Sequence, residues 1–170
     1  LKYLLFGALA SGIMLFGMSL LFGLTGQLAF AELLRATTGL GGSQEAVLLV
    51  AITLMLAGLA FKISMVPFHM WTPDAYEGAP IAVTALLSVG PKAAGLALLW
   101  RLMDALAPAW SALSPLIVVL AMVTMTMGNL VSLVQTNVKR LLAYSTIAQV
   151  GYLLIGFAVH SRLGLEALLL

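Results

Sequence analysis

Phe61-Lys-Ile-Ser-Met-Val-Pro-Phe-His-Met-Trp-Thr-Pro-Asp-Ala-Tyr-Glu-Gly-Ala-Pro80 is the stretch on which the reading of the fold turns. It closes one long apolar run and opens another. Residues 46–68 carry no charge except Lys62, and residues 81–100 carry none except Lys92. Each run is long enough to cross a bilayer, which takes about 20 apolar residues in a helix. A charge at the bilayer centre costs roughly 2.5–3.5 kcal/mol even on lenient insertion scales. A chain that places one lysine in each of two successive spans is expected to use both, and ion or proton movement is the first reading.

The rest of the chain agrees with a membrane setting. Of its 170 residues 62% are hydrophobic and 8% charged, whereas soluble domains carry about 25% charged residues. The net charge of +2 gives no reason to expect nucleic acid. Without cysteine there are no disulfides or thiolate clusters, and two separated histidines argue against a metal site. No Gly-rich segment has the strand context of a dinucleotide site, so none is expected. The apolar runs predict spans over residues 3–24, 45–71, 80–104, 112–133 and 138–160, with a sixth beginning near Leu163. The expected fold is therefore all-α: a polytopic transmembrane helix bundle of about five full spans, broken near Pro67, forming one domain over residues 1–170. Residues 27–37 are mildly amphipathic and read either as a short interfacial helix or as an ordered loop. Residues 39–42, Gly-Leu-Gly-Gly, read as a flexible joint. Small residues at four-residue spacing in the first span, Gly7/Ser11, Ala8/Gly12 and Ser19/Gly23, are expected where helices approach closely.

A start at Leu1 rather than Met, and a last stretch that reads as an unfinished helix, suggest a piece of a longer membrane protein. The 22 uncharged residues 3–24 exceed the roughly 7–15 of a signal-peptide core. Five spans place Lys2, the loop at 73–79 and Lys139-Arg140 on one membrane face. Arg35, Arg101 and Arg162 fall on the other, so the positive-inside rule gives a tie.

Pro67 has no N–H, so the Ile63 carbonyl loses its helical partner about one turn from Lys62. Broken helices persist in membranes only where protein or water satisfies the freed groups. A charged amine, a free carbonyl and water are thus expected together. In an unbroken helix His69, seven residues after Lys62, would share its face about 10 Å along the axis. It reads either as a proton relay, since imidazole exchanges protons near neutral pH, or as an interfacial histidine packing on Trp71. Lys62 and Lys92 lie equally far from Glu77 on either side, so a hairpin turning there brings the amines to similar depth. At about 10 Å and an effective dielectric of about 20 they would repel by roughly 1.7 kcal/mol. Protonating one would then disfavour protonating the other; alternatively both lysines are neutralised by acids elsewhere. Pro91 predicts a second local opening, at Lys92. The last two spans hold Thr124, Thr126, Asn129, Ser132, Tyr144, Ser145, Thr146, Gln149 and Tyr152. Most read as interhelical hydrogen-bonding residues, with Asn129, Gln149 and Tyr152 as the candidates for a hydrated path.

The run Lys62-x-x-x-x-Pro-Phe-His-x-Trp-Thr-Pro-Asp-x-Tyr-x-Gly-x-Pro80 resembles the antiporter-like membrane subunits of respiratory complex I, above all the subunit N family of bacterial NADH–quinone oxidoreductase. The opening residues 1–11, Lys92 with its small neighbours, Gly128-Asn129 and residues 135–152 carry the same resemblance. The resemblance implies about a third of a 13–14 helix protein, similar to its helices six to ten. It also implies that the broken helix is one of two in inverted repeats. It makes Lys62 the central proton-site lysine, Lys92 the connecting lysine and His69 a relay toward the cytoplasmic side. Lys2 matches a lysine typical of the subunit, and the acidic partner of Lys62 would precede residue 1. Two positions depart from the pattern: Gln149 stands where many relatives have histidine and cannot titrate, and Pro91 stands where a small polar residue is common.

The expected function is a proton-translocating membrane subunit of NADH–quinone oxidoreductase in the bacterial inner membrane. Its partners would be neighbouring membrane subunits, the lipid bilayer and protons, with no cofactor and no redox centre in the chain. The alternatives are a subunit of a multi-subunit cation/proton antiporter or membrane-bound hydrogenase, and a structural membrane subunit that pumps nothing.

Overall fold

A computed structural model describes residues 1–159 and 164. Seven helices follow one another among them: α1 (Lys2–Thr25), α2 (Phe30–Thr37), α3 (Ser43–Ile63), α4 (Trp71–Gly78), α5 (Ile81–Ala105), α6 (Ala107–Leu133) and α7 (Val138–Val159). Helices α1, α3, α5, α6 and α7 are long and apolar enough to cross a membrane, making this a multi-pass membrane protein. The all-helical bundle matches the expected class. The sixth span expected near Leu163, and the end of the fifth at His160, fall outside the described residues.

Two antiparallel pairs form the frame. Helix α1 lies on α3 through glycines: a Cβ at Gly17 would stand 2.7 Å from the Ala51 carbonyl oxygen, and one at Gly58 would stand 2.7 Å from that of Ala10. The contact order reverses along the two helices, so they run in opposite directions. Helix α6 lies on α7 in the same way, with a Cβ at Gly128 reaching 2.6 Å from the Ala148 nitrogen and one at Gly151 reaching 2.5 Å from that of Met125. Without a hydrophobic drive between helices in lipid, close backbone approach supplies the attraction. The small residues expected to do this in α1 were largely the wrong ones. Gly12 and Gly23 have open space around them, and Gly7 meets only the Phe61 ring. Spacing alone does not say which stripe of a uniformly apolar helix meets a neighbour. The shared core lies where α3, α5, α6 and α7 converge, on buried Ile52, Leu59, Met103, Ile117 and Leu154.

Three further differences from expectation have local causes. The segment read as a loop at 73–79 is helix α4, with Pro73 in its first turn, where its missing N–H costs nothing. Helix α6 starts at Ala107, five residues earlier than the pattern suggested, because Pro108 occupies its first turn. The expected opening at Pro91 does not interrupt α5, which is helical from Ile81 to Ala105, whereas α3 ends at Ile63, before Pro67. Helix α6 likewise runs through Pro115 without interruption, so proline by itself does not end these helices; α3 ends where Ser64 turns left-handed, three residues before Pro67. Residues 27–37, open between helix and loop, contain helix α2, which buries Leu33 and Thr37.

Candidate functional site

Several polar groups of the break between α3 and α4 have partners. Ser64 turns the chain with left-handed backbone (φ 64°), and the Val66–Pro67 peptide bond is cis. The Ala60 carbonyl accepts from the Met65 N–H at 2.9 Å, and the Phe61 carbonyl accepts from the Ser64 N–H at 3.2 Å. The indole Nε1 of buried Trp71 donates to the same Phe61 carbonyl at 3.0 Å. The hydroxyl of Thr72 donates to Ser64 Oγ at 2.8 Å, buried. From α6, Thr124 Oγ1 accepts the Val66 N–H at 3.2 Å, also buried. The polar groups of the break are thus met by side chains to a greater extent than the sequence suggested. Trp71 packs at a tilt against Tyr3 and Phe61, at 4.9 and 5.3 Å between ring centroids, whereas the ring contact of His69 is with Tyr144.

Lys62 does not lie in a buried pocket within these residues. Its side chain is exposed on α3 and makes no hydrogen bond or ion pair among the described residues. The next residue, Ile63, is the one that faces α5, where it packs against Gly95. At about 100° per residue, Lys62 is turned away from that contact. The helical register expected to align Lys62 with His69 ends at Ile63. His69 belongs to the turn segment, and its ring lies edge-on to Tyr144 of α7 at 6.5 Å. Its Nδ1 is buried beside the Pro67 backbone without a well-formed hydrogen bond.

Lys92 is buried, at 5% exposure. Its Nζ donates to Thr146 Oγ1 of α7 at 2.6 Å and stands 5.6 Å from the centre of the Tyr76 ring of α4. No carboxylate forms an ion pair with it among the described residues. Lys92 lines a cleft of about 670 Å³ between α5 and α7, together with Ser88, Trp100, Arg101, Thr146 and Gln149. Lys62 is not among the lining residues. Lys92 is held against α7, whereas Lys62 lies on an open face. Of the three path candidates, Gln149 shares the Lys92 cleft. Asn129 and Tyr152 instead pair with each other on an exposed surface, with Nδ2 donating to the phenolic oxygen at 2.6 Å.

The charged face forms as the span count predicted. Lys2 pairs with Asp74 at 2.6 Å. Arg140 reaches both Asp74 at 3.2 Å and Glu77 at 2.8 Å. Lys139 donates to the carbonyls of Glu77 and Ala79, and Asn137 donates to the Glu77 carboxylate. This network ties α1 and α7 to α4. The hydrogen bond from Lys2, reinforced by Arg140, holds the Asp74 carboxyl below the usual carboxylate range. Sequence reasoning passed over Tyr76 and treated Thr146 and Thr124 as ordinary helix-joining residues. The available signal was a hydroxyl or ring on a helix facing a lone buried lysine, which becomes legible once the helices are placed.

Over residues 1–170 the chain matches the family described as NADH:quinone oxidoreductase/Mrp antiporter, TM. It is 52% identical over 181 residues to NADH-quinone oxidoreductase subunit N 2 of Sorangium cellulosum, covering 99% of this chain and 35% of that protein. Among solved structures it resembles a chain of the Mrp complex from Dietzia, with TM-score 0.87 and 31% identity, over 97% of this chain and 30% of that one. It also resembles a chain of respiratory complex I from Thermus thermophilus with bound Aureothin, with TM-score 0.74 and 36% identity, over 91% of this chain and 32% of that one. The chain spans about a third of the length of the relatives it matches.

Proposed function

The chain belongs to the NADH:quinone oxidoreductase/Mrp antiporter transmembrane family, and from that premise we propose that it is part of a proton-translocating membrane subunit of NADH–quinone oxidoreductase. The observation that carries the proposal is the buried Lys92, an amine on a membrane span held by a hydroxyl and a ring. A buried ammonium is costly unless partnered, and an intramembrane ionisable residue marks an ion pathway by default. In this reading Lys92 carries a proton between sites within the bilayer. Lys62, beside the break, is the second proton-carrying amine. The remainder of a subunit about three times as long covers its open face and supplies its acidic partner. His69 connects the break to the cytoplasmic face, to which α4 and Lys139-Arg140 then belong. Pro67 enforces the break, Lys2 anchors α4 through Asp74, and Gln149 contributes an amide to the Lys92 cleft. Asn129 and Tyr152 support the α6–α7 pair. In this reading the redox energy reaches the chain through neighbouring membrane subunits.

The likeness to the Mrp chain supports a second reading, a subunit of a multi-subunit cation/proton antiporter. Both assemblies share this fold, so shape does not separate them. The higher identity to a subunit N protein favours the first reading. The test is Lys62→Ala in the full-length subunit within the assembled complex, with NADH-driven proton pumping read in vesicles. Pumping should fall severely while assembly is kept. Lys62→Arg should also fail, because guanidinium hardly releases its proton. Normal pumping in an assembled Lys62→Ala complex overturns the proton-site role. Proton-driven cation exchange without quinone reduction would favour the second reading.

A further inference from the structure

We infer that Thr146 and Tyr76 are positioning residues which hold Lys92 in its protonated form, and that proton release from Lys92 requires this cage to open. The inference rests on the reading of Lys92 as a proton carrier. Its basis is the direction of each contact. Thr146 Oγ1 donates its own hydrogen to the Ala143 carbonyl at 2.8 Å. What remains on that oxygen is a lone pair, and Lys92 Nζ donates to it at 2.6 Å. A hydroxyl whose hydrogen is already committed acts only as an acceptor. It takes a stronger, charge-assisted hydrogen bond from an ammonium than from the N–H of a neutral amine, to which it cannot donate in return. The i−3 hydrogen bond also fixes the Thr146 rotamer, so the acceptor is oriented before Lys92 arrives. The second contact has the same preference. The Tyr76 ring, 5.6 Å from Nζ, is attractive to a cation and indifferent to a neutral amine. Tyr76 is itself buried, so its ring cannot turn away without α4 moving.

The surroundings of the cage bear on how it opens. The groups facing Lys92 from the packed elements are Thr146 and Gln149 from α7 and Tyr76 from α4, with Ser88 and Arg101 along α5 itself. None of them is a carboxylate, so the hydroxyl and the ring supply the compensation among the described residues. Tyr76 and Thr146 stand on different helices, and those helices are joined at the membrane face by Arg140 with Asp74 and Glu77. Rotation of the Thr146 hydroxyl, or separation of α4 from α7, weakens the contacts that favour the ammonium. The Nζ–H bond then breaks with its proton passing to a water entering the cleft, and the bonding pair stays on nitrogen as a lone pair. A Thr146 hydroxyl turned away from the Ala143 carbonyl can donate to it.

The experiment uses the full subunit in the assembled complex, with proton pumping and assembly measured for Thr146→Val, Tyr76→Leu and Lys92→Ala, and for the two double variants. Thr146→Val and Tyr76→Leu should each lower pumping about tenfold in assembled complex, with Thr146→Ser and Tyr76→Phe restoring most of it. In the Lys92→Ala background neither should lower pumping further, because the group they position is gone. Equal losses with and without Lys92 would show a packing role only and overturn the inference. So would normal pumping in Thr146→Val, or failure of Thr146→Ser to restore it. Normal pumping in Lys92→Ala itself would instead overturn the reading of Lys92 as a proton carrier.

Discussion

Thr124→Val isolates one hydrogen bond of the broken helix. Thr124 is fully buried on α6, with 0% exposure, and its Oγ1 accepts the Val66 N–H at 3.2 Å. Valine has nearly the same shape, so the change opens no cavity and exposes nothing. It removes the acceptor and leaves a buried amide beside Pro67. An unsatisfied buried donor costs about 1–3 kcal/mol, and in a bilayer interior no bulk water offers relief. The expected loss is in the upper half of that range, about 2–3 kcal/mol. Thr124→Ser does the reverse: it keeps the hydroxyl and loses one methyl, a packing loss of about 0.5–1.5 kcal/mol. The predicted order of stability is therefore wild type, then Ser, then Val. If packing alone mattered, the order of Ser and Val would invert. Unfolding of the purified full-length protein in mixed micelles, followed by denaturant titration, reads the order directly. A Val variant as stable as the Ser variant would refute the assignment of Thr124 as the acceptor for the break.

Three other outcomes follow from particular contacts. Gly128→Val should destabilise the α6–α7 pair by about 1–3 kcal/mol through overpacking, because a Cβ there meets the Ala148 backbone at 2.6 Å. Gly12→Val, where nothing lies within 4 Å, is the control, and equal losses in thermal unfolding would contradict the close approach. His69→Ala should slow proton uptake partially without loss of assembly, since water can bypass an imidazole; normal pumping from pH 6 to 8 would remove it from the pathway. A cysteine placed at Ala75 on α4 should react with an impermeant reagent from the cytoplasmic side, and labelling only from the opposite side would reverse the proposed orientation.

The structure also changes what the acid–base face means. Lys2 and Arg140 depress the Asp74 carboxyl, so whatever this cluster contributes is present above the ordinary carboxylate range. It fades as pH falls through the depressed value. Its Lys2 partner is 70% exposed, which keeps that contribution small through solvent screening. The cluster is better understood as fixing where α4 sits than as a store of stability.

Composition and run length determined the membrane setting, the number of spans and the fact that Lys2, α4 and Lys139-Arg140 share one face. Each of these depends only on how much apolar length a bilayer requires and on the parity of the crossings. The break near Pro67 was equally legible, because proline has no N–H to offer the carbonyl four residues before it. Packing decided the rest. A helix apolar on every side has no pattern to say which stripe meets a neighbour, so the contacts at Gly17, Gly58, Gly128 and Gly151 came only from the assembled bundle. The same holds for the lysines. Their spacing from Glu77 suggested a facing pair, but rotation about each helix axis is set by side-chain packing at Ile63 and Gly95. That packing turned Lys62 to an open face, while Lys92 was held between a threonine and a tyrosine far from it in sequence.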